Sequence, residues 1–475
     1  MSRPHPHLDD PADDDAGAPD GPAEAGAEEG ELRTPWRATW LESDRPLARA
    51  VGRPLASFLE VEAAGGVFLL AATIVALVWA NSPWDQSYVD FWHTEISFTA
   101  GDFTVSEDLT HWVNDGLMTI FFFVVGLEIK RELVAGELRQ RSAAILPGIA
   151  ALGGMLVPAA IFLAVNAGDV GQDGWGIPMA TDIAFALALV AVFGRRVPPR
   201  LKVFLLTLAI VDDIGAILVI AVFYTDSLSL GWLLDAAVLG FVVLVLRRAN
   251  VRYLPVYVAL GAALWLSMLE SGVHATIAGV LLGLMTPARP FQPALEAEAI
   301  VDRLEGRDDI KAEDVHRTAR LIKESVSVAE RIEHALHPWT SFVIIPIFAL
   351  ANAGVPLTAE PLRDVSPVVV GIVVGLVVGK LVGITAFTWL ATRLPGVDLP
   401  EGVRWSQVVG IAAVAGIGFS VSLFITDLAF EDPLLQADAK LAILLASALA
   451  ALVGFVVLST ASQHHFPRKL AARND

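Results

Sequence analysis

The sequence predicts an all-α polytopic membrane protein with about twelve transmembrane helices. Three observations predict it. Of the 475 residues, 55% are hydrophobic and only 18% are charged, and the mean hydropathy is +0.59; a soluble chain of this length carries more charge. Apolar runs of the length a bilayer demands recur along the chain. Between those runs, Lys and Arg collect in every second connection.

The first 55 residues precede the apolar part. Residues 1–32 hold ten Asp or Glu against one Arg, so nearly half of the net charge of −19 sits in one tail. The stretch PHLDDPADDDAGAPDGPAEAGAEEGE has almost no large apolar side chains. It cannot bury enough surface to offset ordering, and residues 1–55 are expected to be a disordered tail. No basic region followed by an apolar one stands there, so it does not read as a signal peptide. The chain contains no cysteine, which excludes disulfides, thiolate metal sites and cysteine nucleophiles.

The apolar runs fall at roughly 60–80, 111–129, 143–165, 175–194, 201–224, 230–246, 253–269, 273–286, 335–353, 365–391, 406–426 and 438–459. An even number places both termini on one side. With the termini inside, the short inner loops KRELVAGELRQR, RRVPPRLK, RRANVR and the Arg393/Arg404 loop carry thirteen Lys or Arg. The outer loops carry one, Arg363, among acids such as Asp90, Glu95, Asp108, Asp226 and Glu431. That asymmetry orients the chain with both termini in the cytoplasm. The domain from 56 to 460 is then a twelve-helix unit followed by a cytoplasmic tail, 461–475. One inner loop is long: residues 292–330 are charged and helix-prone and read as a solvated amphipathic insertion. The first outer loop contains ISFTAGDFTVS, whose alternation about Gly-Asp predicts a β-hairpin within 94–109.

Four ionisable residues stand inside apolar runs: Asp182 in IPMATDIAFALALV, Asp212 and Asp213 in AIVDDIGAILV, and Lys380 in GLVVGKLVGITAF. Each costs roughly 2.5–3.5 kcal/mol on insertion scales if charged and unpaired at the bilayer centre. Such groups pair, titrate or bind something. An internal ion pair without a transport role is the plain structural alternative, strongest for Lys380. Neighbouring carboxylates in a low dielectric do not both stay ionised cheaply, so they load and release protons. Clustered anionic oxygens also suit a hard cation such as Na⁺ or Li⁺. A site that holds protons or a cation, but not both, is the minimum apparatus for exchanging one for the other.

The backbone near these charges is irregular. In GWGIPMATDIAF, Pro178 and two glycines interrupt the fourth run, and the residues from Thr181 onward read as the start of a half-helix with Thr181 or Asp182 near its N-cap. In the eleventh run Gly410, Gly416 and Gly418 invite a second break. Two interrupted spans at corresponding places in two halves point to an inverted-repeat secondary transporter.

Six separated motifs then carry a resemblance. FFFVVGLEIKREL, ATDIAFALALVAVFGRRVP, LAIVDDIGAILVIAVFYT, SGVHATIAGVLLG, HALHPWTSFVIIPIFALANAGV and GIGFSVSLFITDLAF closely resemble, in order, the NhaA-type bacterial Na⁺/H⁺ antiporters, over about residues 58–460. The acidic tail and the enlarged 292–330 loop depart from the family pattern. The resemblance implies twelve spans, the fourth and eleventh unwound and crossing at mid-membrane. It implies electrogenic exchange of two protons for one sodium or lithium ion across the bacterial cytoplasmic membrane, with activation at alkaline pH. Asp213 and Asp212 would form the ion and proton site, Asp182 and Thr181 would flank it, and Lys380 would pair with Asp212. Glu128, Lys130, Arg131 and Glu132, with Glu333, His334 and His337, would sense pH at the cytoplasmic mouth, and His274 would lie nearer the pore. The external hairpin would hold a homodimer together.

The histidines also have plain roles: His337 precedes Pro338 at an expected helix start, where it could cap or pack. No cofactor and no nucleic-acid partner is implied. The rival readings are K⁺/H⁺ exchange or Na⁺ symport on the same fold and, remotely, an intramembrane aspartyl protease built on Asp182 and Asp213 or a retinal protein on Lys380. A third aspartate and a lysine in the same interior would spoil a protease dyad.

Overall fold

The computed structural model describes residues 63–463 apart from 101–102, 226–227, 252, 291–315, 317, 320–321 and 358–364. The acidic tail, most of the insertion and the last twelve residues lie outside them. The described chain is a bundle of apolar helices with one two-stranded ribbon.

The first helix among the described residues, α1 (Ala63–Ala80), is apolar along its whole length. It turns by 115° into α2 (Asp85–Trp92), whose polar residues alternate with Tyr88 and Trp92. Tyr88 packs edge-on against both Trp79 and Trp92, an aromatic girdle of the kind found at membrane surfaces. Strands β1 (Glu95–Ala100) and β2 (Phe103–Asp108) follow, antiparallel, in register from Glu95 opposite Asp108 to Ala100 opposite Phe103. The expected hairpin is therefore present. Asp108 ends it and caps the next helical segment, accepting from the His111 amide at 2.8 Å.

That segment runs through a π-helical turn, Trp112–Leu117, into α3 (Met118–Val134). Then come α4 (Arg141–Val165), a ten-residue 3₁₀ stretch (Val170–Met179), α5 (Ile183–Val192), α6 (Pro199–Phe223), α7 (Leu230–Arg248), α8 (Leu254–Glu270) and α9 (Thr276–Met285). Beyond the undescribed insertion lie α10 (Val328–Trp339) and its continuation α11 (Ile345–Asn352), α12 (Pro367–Val374) and α13 (Lys380–Ala391), α14 (Trp405–Val414), α15 (Phe419–Ala429) and α16 (Pro433–Gln463). A π-turn joins α10 to α11 and another joins α12 to α13.

Among the described residues six helices can cross a membrane by length and composition, and nine if each sharply bent pair counts as one span. The shorter runs expected at 253–269 and 273–286 form helices of 17 and 10 residues. One expected boundary is corrected. The run placed at 335–353 begins at Val328, because Ser327 caps it by accepting from the Glu330 amide. His337 and Pro338 therefore lie in the last turn of α10, not at a helix start. Pro338 supplies no amide hydrogen there, and a π-turn follows at Thr340.

Small residues set the helix spacing. A Cβ on Gly126 of α3 would stand 2.7 Å from the Val280 carbonyl oxygen of α9, and one on Gly283 of α9 would stand 2.6 Å from that of Phe123. Backbones meet there as closely as small-residue packing in membranes permits. Gly153 of α4 and Gly383 of α13 make an equivalent contact, which fixes Lys380, one turn earlier, against the bundle interior.

Candidate functional site

The middle of α6 carries Asp212 and Asp213 on consecutive positions, so their side chains leave the helix about 100° apart. Each meets a different environment. Asp212 faces Lys380 on α13, where the carboxylate Oδ2 and the ammonium Nζ are 2.5 Å apart and both side chains are fully buried. The Thr181 hydroxyl donates to the same oxygen at 2.7 Å, and Lys380 also donates to Thr181 Oγ1 at 2.9 Å. Asp212 Oδ1 is buried with no hydrogen-bond partner and looks toward Gly154, a position where a side chain would begin to fill the space. Asp213 is 6% exposed and has no hydrogen-bond partner among the described residues. Its charged neighbours are Asp212, Glu128, Asp182 and Lys380. One aspartate is held and the other is free.

The broken segments bring the remaining groups in. The 3₁₀ stretch ends at Met179, Ala180 to Asp182 run extended, and α5 starts at Ile183 with a bend of 45°. Pro178 lies within the last turn of the 3₁₀ stretch, where it supplies no amide hydrogen. Helices α14 and α15 are likewise bent by 45°, about Ala415–Gly418. The two breaks touch. The Asp182 amide donates to the Ile417 carbonyl at 2.6 Å, and the Thr181 hydroxyl lies 2.9 Å from the Ala415 carbonyl oxygen.

Asp182 is the N-cap of α5: Oδ1 accepts from the Phe185 amide at 3.0 Å. Oδ2 accepts from the Ser420 amide at 3.0 Å and the Ser420 hydroxyl at 2.5 Å. Its carboxylate thus closes the N-terminal ends of two half-helices, where backbone amides lack partners and a negative charge is favoured. Every oxygen of Asp182 is engaged. Its place in the site is that of a clasp between the two breaks, while Asp213, Oδ1 of Asp212 and Glu128 carry unengaged acceptors. Replacing it by asparagine turns one acceptor into a donor facing donors. Asp182→Asn should therefore lower the thermal midpoint, by about 1–3 kcal/mol of stability, measured by melting in detergent; an unchanged midpoint would show the clasp to be idle.

The expected pH-sensing residues separate into groups. Arg131 and Glu333 form an ion pair at 2.6 Å between α3 and α10. Glu128, one turn earlier on α3, is within electrostatic reach of both Glu333 and Asp213, so charge at this end of the bundle is felt at the aspartates. Glu132 lines a cavity of about 290 Å³ with Gly136, Glu137, Gln140, Leu206 and Thr207 among others. Leu206 precedes Asp213 by seven residues, two helical turns or about 10 Å, so the cavity lies on the face of α6 that carries Asp213. Lys130 is near Arg247 instead. His334 neighbours Glu333 on α10, and Thr340 donates to the His337 carbonyl at 2.9 Å. His274 is not brought to the aspartates. Its Nε2 meets the Tyr224 carbonyl oxygen, eleven residues beyond Asp213 on α6 and so about 16 Å along the helix.

Ser420 and Gly154 were not evident from the sequence. A serine or glycine in an apolar run is common packing material, and only the fold shows what each faces. Among the described residues no group of three or more His, Cys, Asp or Glu could hold a transition-metal-type site.

The sequence matches the family described as Na⁺/H⁺ antiporter 1 over residues 56–458. It is 45% identical over 434 residues to a protein of Oleidesulfovibrio alaskensis named Na(+)/H(+) antiporter NhaA, covering 88% of this chain and 96% of that one. It is 48% identical over 417 residues to the protein of the same name from Rhodopirellula baltica, covering 86% and 93%. With the one from Rhizobium meliloti it shares 45% over 425 residues, covering 87% and 96%.

Proposed function

Because the chain belongs to the Na⁺/H⁺ antiporter 1 family, a family of transporters rather than enzymes, we propose that it exchanges Na⁺ or Li⁺ for protons at Asp213 and Asp212. The observation that carries the reading is the inequality of the two neighbours. Asp213 is buried without a hydrogen bond, Asp212 keeps one free oxygen, and Thr181, Asp182 and Lys380 are all engaged. Oxygen acceptors with no donors suit a hard monovalent cation or a proton, and the two compete for the same lone pairs. Competition is the coupling.

Two protons for one cation leave a net charge to cross with each turnover, so the exchange is electrogenic and driven by inward proton movement. Raising the pH removes protons from the shared oxygens and favours the cation, which accounts for activation at alkaline pH. Glu128, Glu132, Arg131, Lys130, Glu333, His334 and His337 would tune that response from the cavity end of the bundle, with His274 acting from the other end. Thr181 and Lys380 hold Asp212, and Asp182 holds the two breaks together.

Twelve crossings, with the fourth and eleventh broken and crossing, fit the alternation of basic loops better than six or nine. They put the protein in the bacterial inner membrane with both termini in the cytoplasm. The acidic segment 1–55 and the insertion 292–330 would then be cytoplasmic additions to the transport unit. The hairpin would lie outside and join two copies as a homodimer.

The test is proton movement in everted membrane vesicles, followed by a pH-gradient dye after adding NaCl, LiCl or KCl at several pH values. Na⁺ and Li⁺ should collapse the gradient increasingly as pH rises. No response to either ion in inserted protein would reject the reading, and a response to K⁺ alone would redirect it to potassium.

A further inference from the structure

The cavity beside Glu132 lies at the end that carries the basic loops, and toward the hairpin end stand two layers of side chains that take no part in the ion site. The upper layer is polar. Lys440 Nζ of α16 pairs with Asp427 Oδ1 of α15 at 2.7 Å. The other carboxylate oxygen, Oδ2, accepts from Asn114 Nδ2 at 3.0 Å, and Asn114 Oδ1 accepts in turn from Asn352 Nδ2 of α11 at 2.8 Å. The lower layer is aromatic. Phe424 lies one turn before Asp427, with its ring 5.2 Å from that of Phe122 and 6.4 Å from that of Phe348.

The same three helical segments build both layers. Asn114 and Phe122 share the segment that enters α3, Phe348 and Asn352 share α11, and Phe424 and Asp427 share α15. Each places a polar residue toward the hairpin and an aromatic toward the aspartates. Further down α15, Ser420 grips Asp182, so closure and clasp sit on one short helix.

Two sets of helices meet at this point within one shared core. Helix α3 packs on α9 and α10, whereas α14 and α15 pack on α16, and α4 packs on α13. The Asn114–Asp427 hydrogen bond joins the first group to the second. Asp427 is secured to its own group by Lys440, and Asn114 to its own by Asn352. A carboxylate shared between two helix sets in this manner is a contact that parts in any motion that moves one set away from the other.

We infer that Asn114, Asn352, Asp427 and Lys440 form a latch that closes the hairpin side of the transport path over the Phe122–Phe348–Phe424 plug, and that it opens once per exchange cycle. The inference rests on the antiporter reading. Ions released toward the hairpin from Asp213 have to pass both layers, and the cavity at the opposite end closes when the latch parts.

The chain has no cysteine, so a paired substitution reports cleanly. The test is Asn114→Cys with Asp427→Cys in reconstituted full-length protein, joined by a short bis-methanethiosulfonate reagent. Each thiolate displaces a methanesulfinate to form a disulfide that dithiothreitol reverses. Exchange should fall at least tenfold on joining and return on reduction, with neither single variant responding. The latch is overturned if the joined protein exchanges at the unjoined rate, or if the two positions cannot be joined. It is also overturned if the folded but unjoined pair carries no exchange, since a closing contact is dispensable for holding ions. If that pair is not monodisperse, Asn352→Cys with Asp427→Cys replaces it under the same criteria. A wild type that fails to exchange rejects the antiporter reading and the latch together; a wild type that exchanges, with an indifferent cross-link, rejects the latch alone.

Discussion

Asp213→Asn should reduce Na⁺- and Li⁺-driven proton movement to that of empty vesicles while the thermal midpoint holds or rises. The two halves of this expectation come from the same observation. Asp213 is buried beside Asp212, Glu128 and Asp182 and has no hydrogen-bond donor to balance its charge. A carboxylate in that position is unfavourable for folding, which is what the proposed binding role would require it to offset. Asparagine keeps the shape and one acceptor but carries no charge and takes up no proton near neutral pH. It removes repulsion with Asp212 and breaks no bond of the fold. Transport assay and melting on the same preparation check both halves. Normal exchange by Asp213→Asn would move the site elsewhere. Lost exchange with a sharp fall in midpoint would make Asp213 structural.

Lys380→Ala should do the opposite to the fold. Lys380 and Asp212 are both fully buried and 2.5 Å apart, and Thr181 bonds to each. Removing the ammonium leaves Asp212 charged without its partner, for which a loss on the order of 3–5 kcal/mol is expected. The pair Lys380→Met with Asp212→Asn should recover most of that loss, because replacing both members of a buried ion pair by neutral groups of similar size is nearly free of penalty. The double variant should melt close to wild type and still fail to exchange, since it lacks one carboxylate of the site. Equal midpoints for Lys380→Ala and wild type would reduce the pair to a bystander. A double variant as unstable as the single one would place the damage in packing and not in charge.

The split between legible and illegible follows physical scale. Asp182, Asp212, Asp213 and Lys380 could be singled out in the sequence because a charge in an apolar run is expensive wherever the helices end up. The hairpin was legible from local alternation, and the break near Pro178 from that proline and the two glycines before it. Whether Thr181 or Asp182 capped the following half-helix stayed open, because either side chain satisfies the local rule. The answer depends on Ser420, which is 238 positions away in the chain. The latch escaped notice for a different reason: Asp427 and Lys440 stand near the ends of apolar runs, where charges are ordinary and their partners are set by helix packing. His337 was misplaced because a His-Pro pair suggests a helix start, whereas Ser327 begins the helix three turns earlier.

By itself the sequence determined a polytopic helical membrane protein of the Na⁺/H⁺ antiporter 1 family, its buried charges and its interrupted segments. These are properties of composition, run length and local backbone chemistry, and they hold before any helix meets another. The resemblance implied that Lys380 pairs with Asp212, but only the tertiary structure gave the physical reason that Asp213 is free. Asp212 and Asp213 are adjacent, equally apolar in surroundings and indistinguishable in their local sequence. The 100° that separates consecutive helix positions turns one toward Lys380 and Thr181 and leaves the other without a donor.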